Sequence, residues 1–396
     1  MEEKKEVKAE GQVMGQSKGQ NPFTLTFGKQ PKTYVSRIQA TADRIIEAFE
    51  AENPISQTCL ISGVRGSGKS ALLAAVTNKL SKSKDWVIVE LNSKQPLSSE
   101  FVTRLIDNGL LKMHFFTILY VAFMEHYGMN YSDKDSVGRM NLVMNSLTKN
   151  HKKVLVTVDD AVVDENMRIF MSQFQLMVRK NFNIYLVMTG LPENISGSEP
   201  SLNLSFLPKS SSVVFNANDI SQMQKVADSS FLLRMPKLEL EPLSIEEIKK
   251  EYQRIFDISE EEALKLANLT MGYPFAFQAL GLLYWDYRDT CTYEQIVKKL
   301  DGLLEDFVYR AIWGETTEPE KDILFEMPIE GQKISISELF EKVQMKQDDF
   351  IKYAERLINR GICAVPEKGY LSIILPRLRS IIKTYEDASS SLEQRF

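Results

Sequence analysis

The chain of 396 residues is poor in the side chains that most often announce a metal site or a disulfide framework, with three cysteines and three histidines. Cys59, Cys291 and Cys363 are odd in number, far apart and never in a C-x-x-C pair. Neither a disulfide framework nor a zinc site is expected, and burial as small apolar side chains is the expected role. His114, His126 and His151 show no ligand spacing, and no serine or cysteine nucleophile motif accompanies them. Long apolar runs are missing too. No stretch reaches the ~18 residues that cross a bilayer, and the opening MEEKKEVKAEGQ has no signal core. The expectation is a soluble, cytoplasmic protein without membrane contact. An excess of positive charge is also absent: 48 Lys and Arg face 53 Asp and Glu, a formal charge of −5. Any nucleic-acid contact must then be local rather than a general basic coat.

What is present is ordinary globular material, 43% hydrophobic and 26% charged, in a length that suits two or three domains. Residues 1–21 are rich in Glu, Lys, Gly and Gln without an aromatic, the composition of a disordered tail, and residues 386–396 resemble them. Four short apolar runs read as strands buried on both faces of a parallel sheet: QTCLIS (57–62), WVIVEL (86–91), KVLVTV (153–158) and IYLVMT (184–189). Helical patterns separate them, the clearest placing Met167, Phe170, Met171, Phe174, Met177 and Val178 on one face. Capping boxes at Ser244 with Glu247 and Ser259 with Glu262 start a helical unit. The expected division is an α/β core over 22–241, a helical unit over 242–303 and a C-terminal module over 304–385. That module reads as three helices and then two strands around Glu367-Lys368-Gly369.

Gly63-Val64-Arg65-Gly66-Ser67-Gly68-Lys69-Ser70 fits G-x-x-x-x-G-K-[ST], after one predicted strand and before the helical SALLAAVTNKL, which begins Ser70-Ala71. The glycines allow a tight turn whose N–H groups meet phosphate oxygens at the positive end of the next helix. Lys69 is expected at the β- and γ-phosphates and the Ser70 hydroxyl on Mg²⁺. KVLVTV ends in Asp159-Asp160. Asp159 would hold Mg²⁺ directly or through water, and Asp160 would polarise the attacking water. A bound divalent cation removes the penalty for two adjacent carboxylates. IYLVMT ends in Thr189-Gly190-Leu191-Pro192, putting a hydroxyl in reach of the lytic water if its strand lies beside the phosphate loop; the plain alternative is a strand-ending turn.

This ordered set resembles AAA+ ATPases, in particular the origin-recognition-type branch and the related STAND ATPases, over about residues 22 to 385. It is carried by the phosphate loop, VTVDD, TGLP, FLLRMPKLELEPLSIEEI (231–248), TMGYPFAFQALG (270–281) and the terminal module. The resemblance implies an α/β P-loop NTPase with a parallel sheet, a helical lid and a C-terminal winged helix. It implies ATP and Mg²⁺ as cofactors and homo-oligomers on ATP. NPFTLTFGKQPKTYVSR (21–37) is similar to a leading segment folded around the adenine, with Tyr34 and Arg37 as its contacts. Arg234 stands where an arginine finger is carried, and Pro274 where a STAND lid places its proline near the nucleotide. After Pro274 come Phe275, Ala276, Phe277 and Gln278, without the sensor arginine of many AAA+ lids. That departure favours a slowly hydrolysing STAND-like switch. Some forty residues between Leu191 and Arg234 resemble an inserted loop. The piece MHFFTILYVAFMEHYG (113–128) reads as core packing or an interface.

In the C-terminal module, ISISELFEKV (334–343) and QDDFIKYAERLINRG (347–361) read as helix, turn and second helix. A DNA reader would aim Lys352, Arg356, Asn359 and Arg360 at the duplex. Asp348 and Asp349 open the same helix and repel phosphate, and from 317 to 385 eleven Lys and Arg balance eleven Asp and Glu. A DNA-associated ATPase and a protein-interaction switch without a DNA role both stay open. A small-molecule phosphotransferase accounts for the phosphate loop alone.

Overall fold

The computed structural model describes residues 20–26, 33, 36–110, 133–190 and 235–393. Five described strands, β1 (Thr58–Ser62), β2 (Trp86–Asn92), β3 (Lys153–Asp159), β4 (Ile184–Gly190) and β5 (Lys237–Glu239), form one parallel sheet in the order β2-β3-β4-β1-β5. Alternation along each strand feeds two cores. Val154, Val156 and Val158 of β3, with Ile184, Leu186 and Met188 of β4, face helices α3 (Leu97–Leu110), α4 (Asp133–Lys149) and α5 (Glu165–Arg179). Leu155, Tyr185 and Val187 face the opposite way, toward α1 (Ser36–Glu50) and α2 (Lys69–Ser81). Both sheet faces are covered, which is why the four runs carry little polar alternation. Every residue of β4 is buried.

Beyond β5, helices α6 (Ile245–Phe256), α7 (Glu260–Thr270), α8 (Pro274–Tyr287) and α9 (Tyr293–Leu304) pack together. Ser259 caps α7 by accepting the Glu262 amide at 3.2 Å, whereas Ser244 sits at the cap of α6 without that side-chain bond. No linker separates α9 from the C-terminal module. The helix runs through a π-helical turn, Glu305–Tyr309, into α10 (Arg310–Glu315).

Then come α11 (Glu318–Glu326), β6 (Lys333–Ser335), α12 (Ile336–Lys342), α13 (Gln347–Asn359), β7 (Cys363–Ala364), β8 (Tyr370–Ile373) and α14 (Leu378–Glu393). β7 and β8 pair antiparallel around Glu367-Lys368-Gly369 as the sequence suggested. β6, which pairs with β8, begins inside the segment read as all helix. Ser335 ends the strand and caps α12 by accepting the Glu338 amide at 3.1 Å.

One apolar core joins these two parts, running from Tyr252 and Phe277 through Tyr309 to Leu339, Phe350 and Ile382. A bidentate ion pair, Arg377 to Asp301 at 2.8 Å through both Nε and Nη2, ties the approach to α14 onto α9. The N-terminal segment joins the same core. Phe23 is 3% exposed, stacked on Phe256 at 5.6 Å and edge-on to Phe277 at 5.7 Å. Gly281 leaves room for its ring, which a Cβ there would meet at its Cζ at 2.6 Å. The Thr24 amide donates to Gln278 Oε1 at 3.2 Å, and Gln278 donates to the Thr33 carbonyl at 3.1 Å.

Burial sets the cysteine chemistry. It pushes the Cys59 thiol up to about 11 and the Cys363 thiol up to about 12, so both are neutral small side chains. Phe23→Ala is expected to lower stability by about 3 kcal/mol, the usual loss for an enclosed aromatic. Denaturant unfolding of the full chain checks it, and a change below roughly 1 kcal/mol would show that the segment is not part of the core.

Candidate nucleotide site

The phosphate loop leaves β1 at Ser62 and enters α2 at Lys69. Gly66 at φ 77° and Gly68 at φ 93° take the left-handed backbone that a glycine adopts without strain. Lys69 is 6% exposed, and its ammonium donates to the carbonyls of Gly63 at 2.7 Å and Val64 at 2.8 Å. Ser67 is also buried, and its Oγ has no hydrogen-bond partner among the described residues. A Cβ on Gly63 would come within 2.6 Å of that hydroxyl, so glycine there keeps its space open. An orphaned hydroxyl, a buried cation and a helix start without a side-chain cap suit an anionic phosphate. Ser70 and Ala71 follow in the first turn of α2, both half-buried.

β4 lies between β1 and β3, with Gly190 in register with Ser62, so Thr189 stands beside the phosphate-loop strand. The Thr189 hydroxyl is fully buried. It donates to Asp159 Oδ1 and accepts the Asp160 amide at 3.0 Å. That amide also lies 3.2 Å from Asp159 Oδ1. Asp160 is exposed and takes a left-handed backbone at φ 51°, which Asp tolerates better than most side chains. The acidic pair is therefore oriented by a threonine on the next strand, a use of Thr189 that sequence spacing did not disclose.

Four further residues reach the loop from outside the sheet. Tyr273, just before α8, donates its phenolic hydrogen to the Arg65 carbonyl, and its Cζ lies 2.7 Å from where a Cβ on Gly66 would stand. The Phe275 amide donates to the Gly66 carbonyl at 3.2 Å. Pro274 lies 3.8 Å from where a Cβ on Gly68 would stand. From the C-terminal module, Gly361 packs so tightly on Val64 that a Cβ at 361 would fall on the Val64 side chain.

No family model and no curated protein matches the chain. Among solved structures it is similar to a Walker-type ATPase of Pyrococcus abyssi, at 13% identity and TM-score 0.59, covering 91% of this chain and 99% of that one. The chain has the fold of a Walker-type P-loop ATPase. Looser overlaps join it to Cdc6p of Pyrobaculum aerophilum (13% identity, 89% and 95% of the chains, TM-score 0.44) and to an ORC1 protein of Aeropyrum pernix solved with DNA (12%, 88% and 91%, TM-score 0.41). At TM-scores below 0.5 these add nothing to the first.

On this ATPase fold, the basic residues assigned to a DNA-facing helix divide. Lys352 and Arg356 are exposed and Asn359 is half-buried, all on α13. Arg360 departs from the expectation. Its side chain is 9% exposed and turned inward, donating to the Thr316 hydroxyl and the Ile312 carbonyl at 3.1 Å each. The reason is Glu320, a fully buried carboxylate that needs cations around it. Glu320 closes the N-terminus of α11 by accepting from the Thr317 amide at 2.8 Å, and it faces Arg356 at 3.3 Å and Arg360 at 3.9 Å. Glu315 bridges Arg360 at 3.6 Å to Arg65 of the phosphate loop at 3.3 Å.

Tyr34 and Arg234 lie outside the described residues, as do the segment between Leu191 and Arg234 and the piece at 113–128. Arg37 falls in the first turn of α1. Among the described residues no cluster of His, Cys, Asp and Glu forms a ready metal cage, and no described helix is long and apolar enough to cross a membrane. Thr317-Glu318-Pro319-Glu320 carries the S/T-x-x-E spacing of a capping box, a signal in the sequence that points to Glu320. Tyr273 and Gly361 had no such signal.

Thr189→Val keeps the shape but leaves the Asp160 amide and Asp159 without the hydroxyl. A loss of about 1–3 kcal/mol in urea unfolding is expected, and Thr189→Ser should recover most of it. Equal stability of the valine variant and the wild type would show that the tie has no weight.

Proposed function

We propose that this chain is a slow Mg-ATP-dependent ATPase whose nucleotide state sets how a helical lid (α6–α9) and a C-terminal winged helix sit against the sheet. The observation that carries this reading is that both of these parts rest directly on the phosphate loop, through Tyr273 and Gly361. The loop residues Gly63 to Ser70, with Ala71 behind them, would hold the phosphates. Lys69 would exchange the Gly63 and Val64 carbonyls for phosphate oxygens, and the Ser67 hydroxyl would gain the partner it lacks. Ser70 and Asp159 would hold Mg²⁺, which supplies charge neutralisation at the phosphates. The hydrogen bonds that the Thr189 hydroxyl and the Asp160 amide make to Asp159 both fall on Oδ1, so Oδ2 is the oxygen offered to the cation. Asp160, exposed beyond the strand end, would orient the attacking water, and Thr189 would hold the acidic pair in place.

Pro274 fits a place at the nucleotide because it lies beside Gly68. Tyr34 and Arg37 complete the adenine side in this reading, and Arg234 acts on the nucleotide of a neighbouring subunit, which makes ATP-linked homo-oligomers part of it. Because the lid and winged helix share one apolar core, they move as one body. ATP would close that body on the sheet and reposition α13, with Lys352, Arg356 and Asn359, for duplex DNA.

One observation favours a second reading, a switch that acts on a protein partner without DNA. Arg356 and Arg360 are committed to Glu320 and Glu315, and helix-reading cations are normally free for phosphate.

Lys69→Ala is expected to abolish ATP binding, at least a hundredfold by the ~3 kcal/mol that a buried charged contact carries. Isothermal titration with circular dichroism as the fold control measures it, and unchanged affinity would sink the site. Turnover across protein concentration, with and without duplex DNA at low and physiological salt, separates the two readings. DNA stimulation that fades with salt fits the first. Tight binding with no DNA response fits the second.

A further inference from the structure

Three consecutive phosphate-loop residues, Val64, Arg65 and Gly66, are each held by a group from the lid or the winged helix. Two of the contacts are hydrogen bonds to loop carbonyls, and the third is a backbone laid on a loop side chain. Tyr273 donates to the Arg65 carbonyl, Phe275 N–H donates to the Gly66 carbonyl at 3.2 Å, and the Gly361 backbone lies on the Val64 side chain. In a trans peptide the C=O of one residue and the N–H of the next point in opposite directions within one rigid plane. Whatever holds the Arg65 carbonyl therefore aims the Gly66 N–H the other way. The Phe275 bond likewise sets the next peptide plane, whose Ser67 N–H closes the turn onto the Val64 carbonyl at 3.2 Å.

We propose that Tyr273 and Gly361 are positioning residues of the phosphate loop, Tyr273 fixing the Arg65 peptide plane from the lid and Gly361 fixing the Val64 side chain from the winged helix, and that together they set how long a nucleoside triphosphate is retained. The inference rests on the reading of this loop as a nucleotide site. Its residues suit the task. Tyr273 is buried, which holds its phenol well above the usual range and so keeps the hydrogen in place to donate. Gly361 sits at φ 64°, left-handed, immediately after Arg360, the C-cap of the helix that carries Arg356. Only a residue without a Cβ permits both that backbone and the contact with Val64. The Arg65–Glu315 pair is about half-exposed on both sides and adds little by itself. A ligand that pulls on α13 would thus be felt at the phosphates through Gly361, with no contact of its own to the nucleotide.

The test is the dissociation rate of a fluorescent ATP analogue with Mg²⁺ from the full chain by stopped flow, with thermal unfolding measured alongside. Tyr273→Phe is expected to speed dissociation about fivefold, the weight of one net hydrogen bond. Gly361→Ala should speed it about tenfold, the usual effect of one methyl too many in a tight contact. Adding Val64→Ala removes the Cγ atoms that the new methyl meets and should recover part of the rate, the left-handed strain of alanine at 361 remaining. A Tyr273 with a merely structural role would lower the unfolding midpoint and leave the dissociation rate unchanged, which overturns the proposal. So does failure of Val64→Ala to rescue Gly361→Ala. No binding of the analogue by the wild type overturns the nucleotide reading itself, and this inference with it.

Discussion

A buried ammonium organises the centre of this molecule. Lys69 begins a helix packed against the sheet, and a cation there cannot be left without oxygen partners. The Gly63 and Val64 carbonyls meet it at 2.7 and 2.8 Å, so the chain must double back between β1 and α2 within a few residues. Left-handed Gly66 and Gly68 make that turn possible. The carbonyls of Arg65 and Gly66 are not used by Lys69, and donors from the lid region hold them instead. The loop is thus satisfied from two sides, by its own lysine and by a separate part of the chain.

That second side is mechanically simple. Nearly everything beyond β5 shares one apolar core, and a helix passes without interruption from α9 through the π-helical turn into α10. Such a π turn inserts an extra residue into the helical ladder and is often found near working parts of proteins. Here Phe307 of that turn is 43% exposed and rests on Phe275 at 6.0 Å, one residue from the proline beside Gly68. Phe23, bound to the same body, links the N-terminal segment to it. A change at the phosphate loop therefore meets a rigid neighbour rather than a set of independent helices.

The sheet was legible because β1 to β4 carry apolar runs without strict alternation, and β3 and β4 are buried along nearly their whole length. The phosphate loop was legible because its glycine and lysine spacing follows from the backbone geometry of holding phosphate. β6 was not. Its three residues run straight into a helix, and only their pairing with β8 makes them a strand. Arg360 misled for a related reason. At the C-cap of α13 it follows the exposed Lys352 and Arg356 at helical spacing, and nothing local shows that Glu320 lies fully buried opposite. Thr189 was seen as a hydroxyl beside the loop, but its two partners sit at the end of β3, about thirty residues away in sequence.

Residues close together along the chain were enough to settle the local chemistry: which strands are central, where the phosphate loop turns, and where carboxylates follow a strand. Those properties depend on side-chain volume, glycine freedom and hydrogen-bonding groups within a few residues of one another. Which surfaces press on that loop was settled by the packing of the whole chain. Tyr273 reaches Arg65 across 208 positions, and Gly361 reaches Val64 from the C-terminal module. No local propensity encodes such contacts, because they depend on how separate elements pack around a shared core.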